Sequence, residues 1–248
     1  MSRVLSAAML VLLLMPFASG SDVPDPATDR LLLASGFLDH HPDLRYRTLA
    51  LEEYGKKNNA EAYRLFQRAA YYADKPSQAI VGEMLWAGVG VTQDRPRAYA
   101  WMDVAAERDY ITFRTKRDAY WTALDEAERA AALAALEEIR MEYGDAVAEK
   151  RLASALRRGR AQMSGSRVGS QANPVQIVVP GYGSIDGSKF YDSRYWDPAE
   201  YRGWHDAYWK DLRFGRVDVG DVQTIEAGQG PDEDKPTSRP VLPTDQNP

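Results

Sequence analysis

The string AYRLFQRAA at residues 62–70 returns as AYAWMDVAA at residues 98–106, an offset of 36 residues. Spacings between roughly 20 and 50 residues are typical of repeat units that bury their apolar faces only by stacking on one another. In each copy, alanines and bulky apolar residues recur at helical spacing and form one apolar stripe. The pattern therefore predicts two packing helices of a helical-repeat fold. Four alanines are expected at close helix–helix contacts: Ala69, Ala70, Ala105 and Ala106.

A further helix is predicted between the two copies, over residues 78–87. Ser77 is expected to cap its N-terminus, because Pro76 disfavours helix in the residue before it. Gly88 and Gly90 follow the helix, and glycine is the residue that most readily ends a helix with a positive φ. We therefore expect a helix–loop–helix unit in which at least one of these glycines has a positive φ.

The segment SQAIVGEMLWAGVGVTQDRPRAYAWMDVAAERDY, residues 77–110, resembles a Sel-one-like repeat. That family's pattern has a small-residue step in the first helix, a G-x-G-V loop followed by aspartate, and paired alanines in the second helix. Trp86 stands where the family usually has tyrosine. The matching positions, interpreted as structural, are Ala79, Gly82, Leu85, Gly88, Gly90, Val91, Asp94, Ala98, Trp101, Ala105 and Ala106.

The resemblance covers about residues 58–124 and contains one well-matched unit. It implies an α/α solenoid related to tetratricopeptide repeats. It also implies that the protein is an interaction scaffold and not a catalyst.

Flanking helices are interpreted as the caps that cover the open ends of a solenoid. On the N-terminal side, a helix is predicted over residues 42–57. On the C-terminal side, a degenerate unit at residues 113–124 is followed by a helix that Asp125 and Glu128 begin with a capping box. A last helix is predicted over residues 146–158.

The composition changes after residue 160, and the alanine periodicity does not return. The predicted fold is therefore mainly α: a short solenoid with helical caps, then a small aromatic-rich α+β module. In chain order we predict a signal peptide, a helical repeat domain, a linker, the C-terminal module and a disordered tail, at residues 1–20, 21–160, 161–173, 174–226 and 227–248.

The C-terminal module is predicted to hold strands at residues 175–179 and 217–225, with a helix over residues 199–212 between them. One stripe of that helix carries Tyr201, Trp204, His205, Tyr208 and Trp209. We expect the stripe to be buried against the solenoid or the small sheet, because so short a region needs large side chains to form a core. Exposure as a platform for sugars or peptides is the alternative.

The N-terminus has the pattern of a secretory signal. Arg3 precedes an apolar run over residues 4–17, and small residues follow at a cleavage position before Ser21. An uncleaved anchor is the alternative, but the run is shorter than the roughly 20 residues that span a bilayer. We therefore expect a periplasmic or secreted chain without stable membrane insertion after cleavage.

Composition argues against several functions. The chain has no cysteine, which excludes disulfides and thiolate metal sites. Its formal net charge of -5 argues against a general nucleic-acid role, because phosphate binding needs concentrated basic charge. No cofactor and no metal site is predicted.

Two polar clusters are interpreted as ordinary helix ends. His40 and His41 could suggest a metal site, but neighbours in a loop point in different directions and no ligand spacing accompanies them. Arg157, Arg158 and Arg160 could form a basic patch, but basic residues are common where a helix ends.

The sequence favours a noncatalytic protein–protein interaction scaffold of a bacterial-type cell envelope, with protein partners that it does not identify. The candidate partner-binding residues are Glu83, Trp86, Arg97 and Tyr99 on the concave face and loops, and Trp196, Trp204 and Trp209 in the C-terminal module. The alternative is binding of peptidoglycan or another glycan by the C-terminal aromatics. A hydrolase using His205 has little support, since no nucleophile or oxyanion loop accompanies it.

Overall fold

The computed structural model describes residues 36–163, 176–179, 183–187 and 191–211. Within these ranges the chain is mainly helical, as predicted, with 3-10 turns at Phe37–Asp39 and Ala106–Arg108. The other elements are α1 (Pro42–Gly55), α2 (Asn59–Ala70), α3 (Lys75–Ala87), α4 (Arg95–Ala105), α5 (Ile111–Ala123), α6 (Glu126–Tyr143), α7 (Asp145–Met163), β1 (Gln176–Val179), β2 (Gly183–Asp186), α8 (Ser193–Trp196) and α9 (Pro198–Asp211).

The repeat helices pack in sequential pairs, α1 on α2 and α3 on α4, and α4 also packs on α5 and α6. The four alanines predicted at helix contacts are all buried. At Gly82 a Cβ atom would lie only 3.0 Å from the Ala98 carbonyl oxygen, so α3 and α4 approach closely there. The small residues of the repeat therefore set the distance between its helices.

Helix α3 begins earlier than predicted, and Ser77 is not its N-cap. Asp74 is the N-cap, and its carboxylate accepts hydrogen bonds from the Ser77 backbone N–H at 3.1 Å and the Ser77 hydroxyl at 2.5 Å. Pro76 lies in the first turn, where its missing N–H has no helical partner to lose. The prediction was wrong because a proline near a helix start is compatible with helix in that turn.

The glycine loop is confirmed. Gly88 ends α3 in the left-handed conformation with φ 69°, and Gly90 has φ 72°. A Cβ atom at Gly90 would lie 2.3 Å from the carbonyl oxygen of Asn59, so the loop contacts the first turn of α2. Asp94 then caps α4 by accepting a hydrogen bond from the Arg97 backbone N–H at 3.0 Å.

The flanking helices also form. Asp125 and Glu128 make the predicted capping box, with hydrogen bonds of 3.0 and 2.8 Å. Helix α7 extends to Met163, beyond its predicted end. None of the helices in the described ranges is long and apolar enough to span a membrane.

The C-terminal part differs from the prediction. The strand predicted at residues 175–179 forms as β1, but it pairs with β2 in an antiparallel hairpin, and the strand predicted at 217–225 lies outside the described residues. The predicted helix forms as α9 and contacts α7. A distinct α+β module is therefore not supported. The predicted signal peptide and tail lie outside the described residues.

Gly90 should not accept a side chain. We expect Gly90→Ala to lower the free energy of unfolding by about 1 kcal/mol or more, because alanine is strained at positive φ and its Cβ would meet the Asn59 backbone. Gly203→Ala is the matched control, since nothing lies within 4 Å of a Cβ there and alanine favours the helix. Urea unfolding of both variants measures the difference. Equal effects would contradict the loop contact.

Ala105→Leu should overpack the contact between α4 and its neighbours. Ala105 has no exposed surface, so we expect a loss of about 1–3 kcal/mol in unfolding free energy. Ala134→Leu, at an exposed position of α6, serves as the control and should change stability little. Unchanged thermal midpoints in both variants would contradict the close packing of the repeat.

Candidate functional site

Helix α9 is hydrogen-bonded to two distant parts of the helical domain. Its Tyr201 hydroxyl donates a hydrogen bond of 2.5 Å to Asp43 Oδ2, in the first turn of α1. Further along α9, Asp206 accepts a hydrogen bond of 2.7 Å from the hydroxyl of Tyr110, which directly precedes α5. The C-terminal helix therefore joins segments that are far apart in sequence.

A cavity of about 430 Å³ lies beneath α9, between that helix, α7 and the start of α1. We call it the polar cavity. Its buried wall includes Asp43, Asp74 and His205, and two exposed cations of α7, Lys150 and Arg157, also line it. Acidic and basic side chains therefore line the same cavity.

Asp43 is buried, and its carboxyl group is only partly hydrogen-bonded. Oδ2 accepts from Tyr201, whereas Oδ1 has no hydrogen-bond partner among the described residues. Burial, and to a lesser degree the charge of Asp74, raise the pKa of Asp43 to about 7, while Tyr201 and Arg47 act in the opposite direction. The group is therefore partly protonated near neutral pH.

Asp74 is buried as well, but both of its oxygens have partners. Besides capping α3, it accepts a hydrogen bond of 3.1 Å from Arg47, whose side chain is also buried. The pair joins α1 to the start of α3. A buried pair of this kind adds little net stability, but loss of either partner leaves the other charge buried and uncompensated.

A second network of charged side chains, partly buried, reaches the cavity through Arg108 and Glu149. Arg108 binds Asp145 at 2.8 Å and Glu149 at 3.1 Å. Lys75, with a side chain 1% exposed, binds Asp145 and Glu107, each at 2.9 Å. Burial lowers the pKa of Lys75, and the neighbouring carboxylates oppose that change. The network ties the start of α3 to the start of α7.

The two sequence-adjacent histidines are not both solvated helix-end residues. His41 is fully buried at the N-cap position of α1, and its Nε2 donates a hydrogen bond of 2.8 Å to the Tyr195 carbonyl oxygen. Its ring lies 4.8 Å from that of Trp196. His41 therefore lies at a helix end, as interpreted, but its burial by α8 could not be read from the local sequence.

His205 is buried too, and its Nε2 has no hydrogen-bond partner among the described residues. Burial holds the pKa of His205 well below its usual value, and nearby Arg47 and Arg108 lower it further, so the imidazole is neutral. Asp206, its neighbour in sequence, is bonded to Tyr110 instead. Within the described residues, no group of three or more histidines and carboxylates could hold a metal ion.

The predicted partner-binding residues of the repeat are less exposed than expected. Glu83 and Tyr99 are buried, and Glu83 forms an ion pair with Lys116. Trp86 is half-buried and stacks on Tyr120 with ring centroids 4.0 Å apart. Arg97 alone of the four reaches well into solvent, where it pairs with Glu138 at 3.1 Å.

The predicted aromatic residues of the C-terminal region are mostly buried. Trp196 and Trp204 are 3% and 8% exposed, which corrects the alternative of an exposed platform at those positions. Trp209 is half-buried, with its ring 5.7 Å from that of Phe113 in α5. Burial against the solenoid is therefore the arrangement that forms.

Sequence reasoning missed a depression of about 500 Å³ on the surface of α2, lined by Glu61, Arg64, Gln67, Arg68, Tyr71 and Tyr143. We call it the tyrosine–arginine groove. The rings of Tyr71 and Tyr143 meet edge to face at 6.2 Å, and the Arg151 guanidinium lies 3.6 Å from the Tyr71 ring. The sequence did contain a pattern that indicates this groove: Arg64, Arg68 and Tyr71 recur at helical spacing, on the face opposite the alanine stripe.

Arg68, which lines this groove, and Arg151, which contacts its Tyr71 from beside it, lack a carboxylate partner within the described residues. Arg68 lies over the Tyr46 ring at 4.9 Å, and Arg151 donates its hydrogen bonds to backbone carbonyl oxygens. Arg64, in contrast, is paired with Glu61. The groove therefore presents unneutralised positive charge next to aromatic rings.

Comparison with known families identifies the repeat. The model of the Sel1 repeat matches residues 49–71 and 75–110. The first match includes the last turns of α1, so this helix contributes to a repeat unit and is not only a cap. No curated protein and no solved structure matches the chain significantly.

Replacing Asp43 by asparagine should change how stability depends on pH. Burial raises the pKa of Asp43 from 3.8 to about 7, so between those values the folded chain holds a proton that the unfolded chain has released. The stability of the native chain therefore falls across that window as pH rises. Asparagine does not titrate, so its stability does not fall in this way. We therefore expect the unfolding free energy of Asp43→Asn, relative to that of the native chain, to rise with pH by roughly 1.4 kcal/mol for each unit across the window.

Urea unfolding at about pH 5 and about pH 8 measures this change. Asp118→Asn, the same substitution at an exposed position of α5, is the control. A stability difference for Asp43→Asn that does not vary with pH would contradict the raised pKa.

Proposed function

Because the chain carries two Sel1 repeats, we propose that it is a noncatalytic protein–protein interaction scaffold of the cell envelope. Sel1 repeats are generally protein-binding scaffolds, which supports the molecular role. The apolar run at residues 4–17, with its cleavage pattern, supports the envelope location. Binding of a cell-wall glycan has less support, since Trp196 and Trp204 are buried.

The tyrosine–arginine groove carries the proposal for how a partner is held. Tyrosine and arginine are enriched among the residues that contribute most to protein–protein binding. Here the rings of Tyr71 and Tyr143 already contact each other, and Arg151 is stacked on Tyr71. Side chains ordered before binding lose less conformational entropy when a partner docks.

The charge of the groove indicates the chemistry of the partner. Arg68 and Arg151 lack a carboxylate partner among the described residues, and arginine binds carboxylates through paired hydrogen bonds. The whole chain has a formal net charge of -5, so the unpaired arginines of the groove are opposite in sign to the net charge of the chain. We propose that the groove binds an acidic segment of another protein.

Site-specific photocrosslinking in cells tests this function. A photoreactive residue in place of Arg64, which is exposed in the groove, should capture a protein partner. The same residue in place of Arg114, exposed on α5, is the control and should not capture it. Arg68→Glu should weaken capture about tenfold or more, because charge reversal repels an acidic segment.

Equal capture from both positions, or capture unaffected by Arg68→Glu, would contradict the groove as the binding site. Retention of the protein on purified peptidoglycan, unchanged by Arg68→Glu, would favour the glycan alternative. Arg114→Glu provides the charge-matched control for this variant.

A further inference from the structure

We propose that the polar cavity beneath α9 binds a small zwitterion, a molecule with an amino group at one end and a carboxylate at the other. The buried wall of the cavity provides acceptors for the amino group, and the exposed cations of α7 attract the carboxylate. This inference is independent of the tyrosine–arginine groove and of its protein partner.

The buried wall has hydrogen-bonding capacity that the described residues do not use. Asp43 Oδ1 and His205 Nε2 are both buried without a partner, although an unpaired buried polar group is destabilising. Both residues adjoin Tyr201, which bonds to Asp43 and has its ring 4.5 Å from that of His205. An amino group donates up to three hydrogen bonds, and a carboxylate and a neutral imidazole can both accept them.

The exposed side of the cavity has unused positive charge. Lys150 and Arg157 lie two helical turns apart on α7, both line the cavity, and neither forms an ion pair within the described residues. The other cations there are already engaged, since Arg108 and Arg202 both bind Glu149. The free charge on this side is therefore positive, which favours a carboxylate.

A ligand with only one of the two groups would use half of the site. A simple anion would leave Oδ1 of the ionised Asp43 unpaired, and a simple amine would leave Lys150 and Arg157 unpaired. The volume of about 430 Å³ lies within the range of small-molecule sites. Leu152 and Leu156 supply apolar wall for the carbon chain between the two ends.

Titration calorimetry and thermal unfolding of the full chain test the proposal. The probes are the ω-amino acids from glycine to 6-aminohexanoate, with valerate and pentylamine as one-ended controls. We expect at least one zwitterion to raise Tm by about 2 °C or more at about 10 mM, because a ligand that binds only the folded state stabilises it. Valerate and pentylamine should not.

Variants on each side of the cavity locate the binding. Arg157→Ala should weaken zwitterion binding about tenfold or more, whereas Arg158→Ala, exposed on the same helix but outside the cavity, should not. Asp43→Asn should weaken it as well. The Arg157 and Arg158 pair tests the exposed side of the cavity independently of Asp43.

The proposal is overturned if no zwitterion binds at about 10 mM, or if valerate or pentylamine binds as tightly as the best zwitterion. It is also overturned if Arg158→Ala weakens binding as much as Arg157→Ala. None of these outcomes depends on capture of a protein at the groove, so the two proposals fail separately.

Discussion

Ion pairs of buried lysine and arginine side chains determine which helix ends adjoin in this protein. The side chains of Lys75 and Arg108 are almost inaccessible to solvent, and both bind Asp145. A buried charge that loses its partner is strongly destabilising, although a complete pair adds little net stability. The network therefore disfavours arrangements in which α3 and α7 begin anywhere else. The alanine contacts of the repeat set how closely the helices approach, and the charges set which helix ends adjoin.

The two buried aspartates near α1 differ in how completely their carboxylate oxygens are hydrogen-bonded. Asp74 has partners for both oxygens, so it completes a fixed junction between α1 and α3. Among the described residues, Asp43 has a partner for only one oxygen, and its burial, together with the charge of Asp74, raises its pKa. Completed polar groups belong to the framework of the fold. Asp43 and His205, each with one atom unpaired in the described part of the chain, border the cavity, where a ligand has something to bind.

Local patterns in the sequence predicted much of the fold. Gly90 and the capping box of Asp125 follow from short-range geometry, and both form as expected. The bond between Tyr201 and Asp43 joins residues 158 positions apart, and no local pattern contains that information. The polar cavity could not be predicted for the same reason. The tyrosine–arginine groove was visible as a helix face, but its aromatic partner comes from α6.

The long separation between α9 and α1 has a consequence for the order of folding. Contacts between neighbouring repeat helices are local and can form early, because closing short loops costs little entropy. His41 and Asp43 become covered only when Tyr195 and Tyr201 reach them. Until those two residues dock, this end of α1 therefore stays open to water, although the contacts between neighbouring repeat helices can already have formed.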